Sequence, residues 1–342
     1  MKQTIFRDLT KSMLFVVLIV CLMTSCSKKE VSYYRLQGNV FGTTFQIQYA
    51  DASENNYNQA ITLLFDQMNN SLSTYHPNSL ISQLNKDSSE LMVDDNFIAV
   101  FKLSKKVYES TDGYFDPTVG KMVNAWGFGY QESSKILTNQ EVDSLMQYVG
   151  FDKVVLDERT VVKKNPDVVF DFNAVAKGYG VDLVALFLEQ KGVKDYLVEI
   201  GGEIRAKGKN KRNQFWSVGI EEPNFDGSRS LQKVVRLEHE SIATSGNYRK
   251  YRIDSVTGEK IAHTFNPKRG IPAKTDLLSV SIISSLSCGE IDAYATAFMA
   301  MGYKKARKLA DNHKEMKVYF IYLDQDEIKT DATPNLKFVE TL

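Results

Sequence analysis

Apolar and polar positions largely alternate from Val40 to Tyr49, which predicts a strand following a turn at Gly38. Ile61, Leu64, Phe65, Met68 and Leu72 then recur at helical spacing, as do Phe97, Val100, Phe101, Val107 and Tyr108. These are two amphipathic helices with a loop between them. Val142, Leu145, Met146 and Val149 mark a third, ended near Gly150. Short strands are predicted at 153–157, 160–164 and 168–170, then a helix over 174–191 and a strand at 196–200. From 215 to 284 the chain is largely strand-like and punctuated by Gly, Asn and Pro; helices at 290–301 and 303–313 precede a last strand at 318–323. Hairpin-like strands mixed with helices predict an α+β fold with mixed sheets and packed helices, not an alternating parallel one. No linker or internal repeat divides the chain.

The N-terminal pattern is of another kind. Lys2, Arg7 and Lys11 precede an apolar stretch from Met13 to Met23, which is short of the ~20 residues that span a bilayer. It closes on Leu22-Met23-Thr24-Ser25-Cys26, a small residue directly before a cysteine, as in a lipobox. Cys21 is the poorer candidate because bulky Val20 precedes it. The expected organisation is a lipoprotein signal peptide over 1–25, a tether over 26–37 behind a lipidated Cys26, and a folded domain over 38–330. Several acyl chains on Cys26 would hold the protein on a bacterial cell membrane, facing the periplasm. Only Cys288 of the three cysteines would then remain unmodified, which excludes an internal disulfide and leaves stability to a hydrophobic core. Lysine plus arginine balance aspartate plus glutamate at 42 each, without long basic runs, so nothing points to nucleic acid.

Candidate chemistry sits in two segments. In EIDAYATAFMAMG (290–302), Asp292 and Thr296 lie four residues apart on a helical pattern, so both oxygens project from one face. Such a pair is usually just an exposed polar pair, and it is also one way to offer a hard cation two ligands. In FDFNAVAKGYGVD (170–182) a strand-like run breaks at Asp171-Phe172-Asn173 and restarts as a helix carrying Lys177 in its first turns. Unpaired amides and the positive dipole end make that junction a phosphate site. Neither G-x-x-x-x-G-K-[ST] nor G-x-G-x-x-G is present, so any dinucleotide is bound without a P-loop or a Rossmann fingerprint. Gly201-Gly202 are either a plain turn or a point where backbone approaches a ligand closely.

With EIGGEIRA (199–206), TSGNYRKY (244–251) and HTFNPKRG (263–270), these segments resemble the ApbE family, the FAD:protein FMN transferases. That family's motifs read roughly D-L-x-x-x-A-K-G-Y-x-x-D, I-G-G-D, T-S-G-D-Y-R, H-I-x-D-P-x-T-G and D-A-x-A-T, and the resemblance runs in the family's order from about Gly38 to about Tyr322. It implies Mg²⁺ held by Asp292, Thr296 and the backbone carbonyl of Ala174. It implies FAD contacts at Phe41, Tyr75, Tyr114, Phe115, Asp116, Asp171, Lys177, Gly201, Gly202 and Thr264. His263 stands where the family's histidine lies beside the pyrophosphate, and His263 or Asp292 would take the acceptor's proton. Phe41 replaces the family's common methionine, and Thr264 and Asn266 stand where Ile and Asp are frequent.

The activity so implied is Mg²⁺-dependent transfer of FMN from FAD to a threonine hydroxyl of an acceptor protein, with release of AMP. Family acceptors carry a D-x-x-[ST]-[GA]-A-T segment, typically on subunits of ion-pumping NADH:quinone oxidoreductase or Rnf-type complexes. A FAD pyrophosphatase yielding FMN and AMP, or a non-catalytic flavin-binding lipoprotein, are the alternatives.

Overall fold

The computed structural model describes residues 31–53, 55–86, 89–130, 136–224, 230–247, 251–253, 258 and 260–339. The expected signal peptide and Cys26 lie outside the described residues. Among the described residues no helix is long and apolar enough to cross a membrane. The large unit, Tyr33–Ala50 with Asn56–Leu342, holds the elements that shape the site.

In chain order the elements are β1 (Ser32–Val40), β2 (Thr43–Asp51), α1 (Asn58–Leu72), α2 (Leu80–Asn85), β3 (Glu90–Met92), α3 (Asp95–Ser110), α4 (Gly120–Ala125) and α5 (Asn139–Met146). There follow β4 (Val154–Asp157), β5 (Thr160–Lys163), α6 (Asn173–Gln190), β6 (Asp195–Ile200), β7 (Glu203–Lys207), β8 (Trp216–Glu221), β9 (Leu231–Leu237) and β10 (Ser241–Gly246). The last are β11 (Tyr251–Ile253), β12 (Lys260–Ala262), β13 (Phe265–Asn266), β14 (Ile271–Pro272), β15 (Leu277–Ser284), α7 (Cys288–Met301), α8 (Tyr303–Asn312), β16 (Met316–Asp324) and β17 (Glu327–Ala332).

An eight-stranded sheet in the order β1-β2-β6-β7-β10-β15-β16-β17 is the frame. The α+β expectation holds. Where mixed sheets were expected, however, the described registers between strands are antiparallel, and among the described residues the one parallel contact is a bridge between Val119 and Val169. Tight hairpins join many consecutive strands, and a parallel neighbour would have needed a long crossover. The expected strand at 168–170 is reduced to that bridge.

Strand β15 is buried at every position, so its LLSVSIIS run shows no alternation. On one face Val280 and Ile282 join Phe298, Phe320 and Val318 in the main core; on the other Leu278 and Ile283 meet Trp216 and Val235 of the β8–β9 hairpin. A register shift between Leu277 and Ser279 turns Leu277 back to the helical side.

The expected strand from Val40 to Tyr49 is instead a hairpin, and β1 begins at Ser32, inside the expected tether. Its turn falls on Phe41 (φ +52°) and Gly42 (φ +74°), not on Gly38. Two-residue hairpins of this kind want positive φ at both central positions, which a bulky residue adopts at a cost. Gly38 lies within β1, where a Cβ would stand 2.8 Å from the Phe45 ring. The folded region also continues past the expected boundary at 330, since Phe338 bridges to Val235.

Candidate active site

A cleft of about 770 Å³ opens between the β1–β2 and β6–β7 turns, the start of α6, strand β10, the segment before β13, and α7. All fourteen residues expected from the sequence line it: Phe41, Tyr75, Tyr114, Phe115, Asp116, Asp171, Ala174, Lys177, Gly201, Gly202, His263, Thr264, Asp292 and Thr296. They come from nearly the full length of the chain, so only folding brings them together. The volume lies in the range of small-molecule and cofactor sites.

Helices α6 and α7 cross at two glycines. A Cβ on Gly178 would stand 2.5 Å from the Cys288 carbonyl oxygen, and one on Gly289 would stand 3.0 Å from the Tyr179 amide nitrogen. Asp182, the last residue of the 170–182 motif, accepts the Cys288 and Gly289 amides at 2.9 and 2.8 Å and so caps α7, while Arg205 holds it at 2.7 Å. That lock sets Asp292 against α6, where its Oδ2 accepts the Gly178 amide at 3.1 Å. In a regular helix the acceptor of that amide is the carbonyl of Ala174. The second acceptor lightens the demand on the Ala174 oxygen, the very carbonyl expected among the cation ligands.

Lys177 reaches two carboxylates. Its Nζ lies 3.0 Å from Glu203 Oε2 and 3.7 Å from Asp292 Oδ2, with both acids nearly buried and about a third of the lysine exposed. Burial would lower the lysine's pKa, but the charges of Asp292 and then Glu203 outweigh it and hold the ammonium protonated. Burial pushes the Asp292 carboxyl up, opposed by Lys177 and the Gly178 amide. Among the described lining residues Lys177 is the only lysine or arginine, against Asp116, Asp171, Glu199, Glu203, Glu221 and Asp292. A pyrophosphate in such a cleft needs added positive charge.

Oxygen donors for that charge are at hand. The Gly178 amide and the Lys177 ammonium both meet Asp292 at Oδ2, the Thr296 hydroxyl lies 3.4 Å from Ser245 Oγ, and Asp292 shares the Gly178 amide with the end of the helix that carries the Ala174 carbonyl. Carboxylate, hydroxyl and carbonyl are ligands that Mg²⁺ accepts, with water or substrate phosphate completing the shell. Among the described residues no three His, Cys, Asp or Glu side chains cluster closely enough to hold a cation by themselves. The donor set therefore fits a hard ion shared with a substrate and does not fit a closed structural site.

The aromatic positions divide. Tyr75 is 61% exposed at the cleft edge, while Phe115 is buried in the main core and supplies wall. Tyr114 has Lys268 and Lys305 ammonium groups at 5.2 and 5.0 Å from its ring centre. The Phe41 ring packs edge-on to Phe65 at 5.5 Å and lies where Gly180 leaves room. Thr264 donates to Asn247 Oδ1 at 2.7 Å, which ties the His263 segment to the end of β10. Tyr248, Arg249 and Lys250 of the TSGNYRKY segment lie outside the described residues.

Asp171 and Asp116 both act on local backbone. Asp171 accepts the Asn173 amide at 2.7 Å at the start of α6. Asp116 Oδ1 accepts the Thr118 hydroxyl at 2.6 Å and its amide at 2.8 Å, and Thr118 Oγ1 accepts from the Gly150 amide at 2.7 Å. Burial pushes the Asp116 carboxyl up to about 6, with the Thr118 and Phe151 donors pulling the other way. Because its folded pKa lies above the unfolded one, this group's contribution falls as pH rises from about 4 to about 6, by up to ~1.4 kcal/mol per unit. The melting temperature of Asp116→Asn minus that of wild type should therefore rise across this window and level off above it. A flat difference in a pH series of thermal melts would contradict that pKa.

Sequence reading missed Glu203, Glu199 and Ser245. Glu203 opens β7 directly after the Gly201-Gly202 turn, and both glycines have positive φ, +63° and +103°. The two readings of that pair thus coincide, since the turn is itself part of the cleft wall. Glu199 accepts the Gly202 amide at 2.8 Å. The available signal was the fourth position of I-G-G-E, where the family pattern carries an acid.

An α+β frame whose hairpin turns and two crossed helices converge on oxygen donors and one lysine defines a protein with a ligand-binding cleft. The chain belongs to the ApbE family, whose model matches residues 41–320. A FAD:protein FMN transferase of Haemophilus influenzae is 31% identical over 339 residues, 95% of this chain and 97% of that protein. Its counterpart from Vibrio cholerae is 32% identical over 329 residues, 94% and 97% of the two chains. The solved structure of the flavin transferase ApbE from Vibrio cholerae matches with a TM-score of 0.79 at 30% identity, covering 89% of this chain and 98% of that one.

Proposed function

We propose that this protein transfers FMN from FAD to a threonine hydroxyl of an acceptor protein and releases AMP. The observation that carries the reading is the convergence of all fourteen expected residues on one cleft, in a chain similar over nearly its whole length to FAD:protein FMN transferases. Mg²⁺, held by Asp292, Thr296 and the Ala174 carbonyl, would supply charge compensation for the pyrophosphate.

The chain's own residues then have separate tasks. Lys177 binds phosphate oxygens at the start of α6, where the helix dipole favours anions although the expected open amides of Asn173, Val175 and Ala176 are already taken by Asp171 and the Phe172 carbonyl. The glycine turn at 201–202 lets backbone come close to the ligand. Asp292 is committed to Lys177, to the Gly178 amide and to the cation, and so is a poor free base. That leaves His263, which lines the same cleft, to take the proton from the acceptor's Oγ. The threonine oxygen bonds to the FMN phosphorus as the bridging P–O bond breaks toward AMP. Such transfer depends mainly on positioning and electrostatics.

The acceptor would present a D-x-x-[ST]-[GA]-A-T segment, as on subunits of ion-pumping NADH:quinone oxidoreductase or Rnf-type complexes. Incubating the protein with FAD, Mg²⁺ and a D-x-x-T-G-A-T peptide should give a peptide heavier by one FMN unit in mass spectrometry. An unmodified peptide beside intact FAD would refute the proposal. Anchoring by lipidated Cys26 on the periplasmic face of a membrane completes it. Cys26→Ser should abolish incorporation of a labelled fatty acid into the protein, and undiminished labelling would reject the anchor.

A further inference from the structure

We propose that Glu203 is a positioning residue that draws the Lys177 ammonium away from Asp292 and thereby keeps Asp292 available to a divalent cation. The inference rests on the cation site of the preceding section. Lys177 Nζ is already closer to Glu203, at 3.0 Å, than to Asp292, at 3.7 Å. Glu203 is 3% exposed, and its Oε2 meets the ammonium as a close ion pair. The lysine's path is also defined: a Cβ on Gly201 would stand 3.1 Å from Lys177 Cδ, so the stem crosses the glycine turn toward Glu203.

Two carboxylates share one ammonium in this arrangement. A divalent ion at Asp292 repels the ammonium, and Glu203 gives it a place to go without leaving a buried carboxylate unpaired. Without Glu203 the lysine would pair with Asp292 and compete with the ion. A charge at Glu203 could also aid the ion directly through its field. The two routes differ in one respect, because only the first requires the lysine.

The test is Mn²⁺ binding to the full-length protein, followed by the EPR signal of free Mn²⁺, in wild type, Asp292→Ala, Glu203→Gln, Glu203→Asp, Lys177→Met and the Glu203→Gln/Lys177→Met double variant, with folding checked by thermal melts. Glu203→Gln should weaken binding by about tenfold, a coupling in the range of contacting charged groups. Glu203→Asp, which keeps the charge, should recover most of the loss. In the Lys177→Met background Glu203→Gln should have no further effect. An undiminished effect there would overturn the positioning role while leaving the cation site standing. Wild-type binding equal to that of Asp292→Ala would overturn the cation site itself, and this inference with it.

Discussion

Asp292→Ala should lower FMN transfer by on the order of 10³-fold while the protein remains folded, since removing charge compensation at a phosphoryl centre costs several kcal/mol of barrier. Asp292 is the only charged side chain among the expected ligands, and it is 2% exposed. Its loss leaves the Gly178 amide without its second acceptor, while Lys177 keeps Glu203 as partner. The stability cost is therefore about 1–3 kcal/mol, the range for a lost buried hydrogen bond. Thr296→Ala should be milder, because water can replace a neutral ligand. Measuring flavinylation and melting temperature on the same Asp292→Ala sample separates the roles. A softened protein with normal turnover would make Asp292 a purely structural carboxylate.

Gly178→Ala should cost about 3 kcal/mol of stability and lower transfer strongly, because the crossing that seats Asp292 is forced apart. Helix propensity alone favours alanine by ~1 kcal/mol, so the sign is decided by packing. The added methyl would meet the Cys288 carbonyl oxygen at 2.5 Å and Gly289 Cα at 2.7 Å, both backbone atoms that cannot rotate away. The two helices must part, and the Asp292 bond to the Gly178 amide parts with them. Gly180→Ala provides the contrast, for there the methyl meets Phe41 Cε2 at 2.9 Å and Met68 Sδ at 3.2 Å, ends of side chains that can shift. Thermal melts should rank Gly178→Ala well below Gly180→Ala. A Gly178→Ala protein as stable as wild type would contradict the close crossing of the helices.

Legibility in the sequence followed the strength of local signals. Helices α1, α3, α6 and α7 were readable within a few residues, because their apolar positions keep helical spacing or their ends carry turn residues. Strand β15 was readable as an apolar run, yet not its burial on both faces, which depends on the β8–β9 hairpin packing against it. The β1–β2 turn was misplaced at Gly38, since φ > 0 at Phe41 runs against local preference and is held by contacts with Phe65 and the space at Gly180. Strands β3 and β17 went unread: one has three residues, and the other is a polar edge strand. At the site, motif residues were legible one by one. The pairing of Lys177 with Glu203 was not, because it joins two motifs 26 positions apart through a turn whose geometry no local pattern states.

The most direct measurement of the central claim is a single-tube stoichiometry: AMP released, free FMN, and flavinylated D-x-x-T-G-A-T peptide, quantified together after incubation of the protein with FAD and Mg²⁺. Transfer predicts one AMP for each flavinylated threonine, with little free FMN. Equal AMP and free FMN with no peptide adduct would contradict it and make the protein a pyrophosphatase.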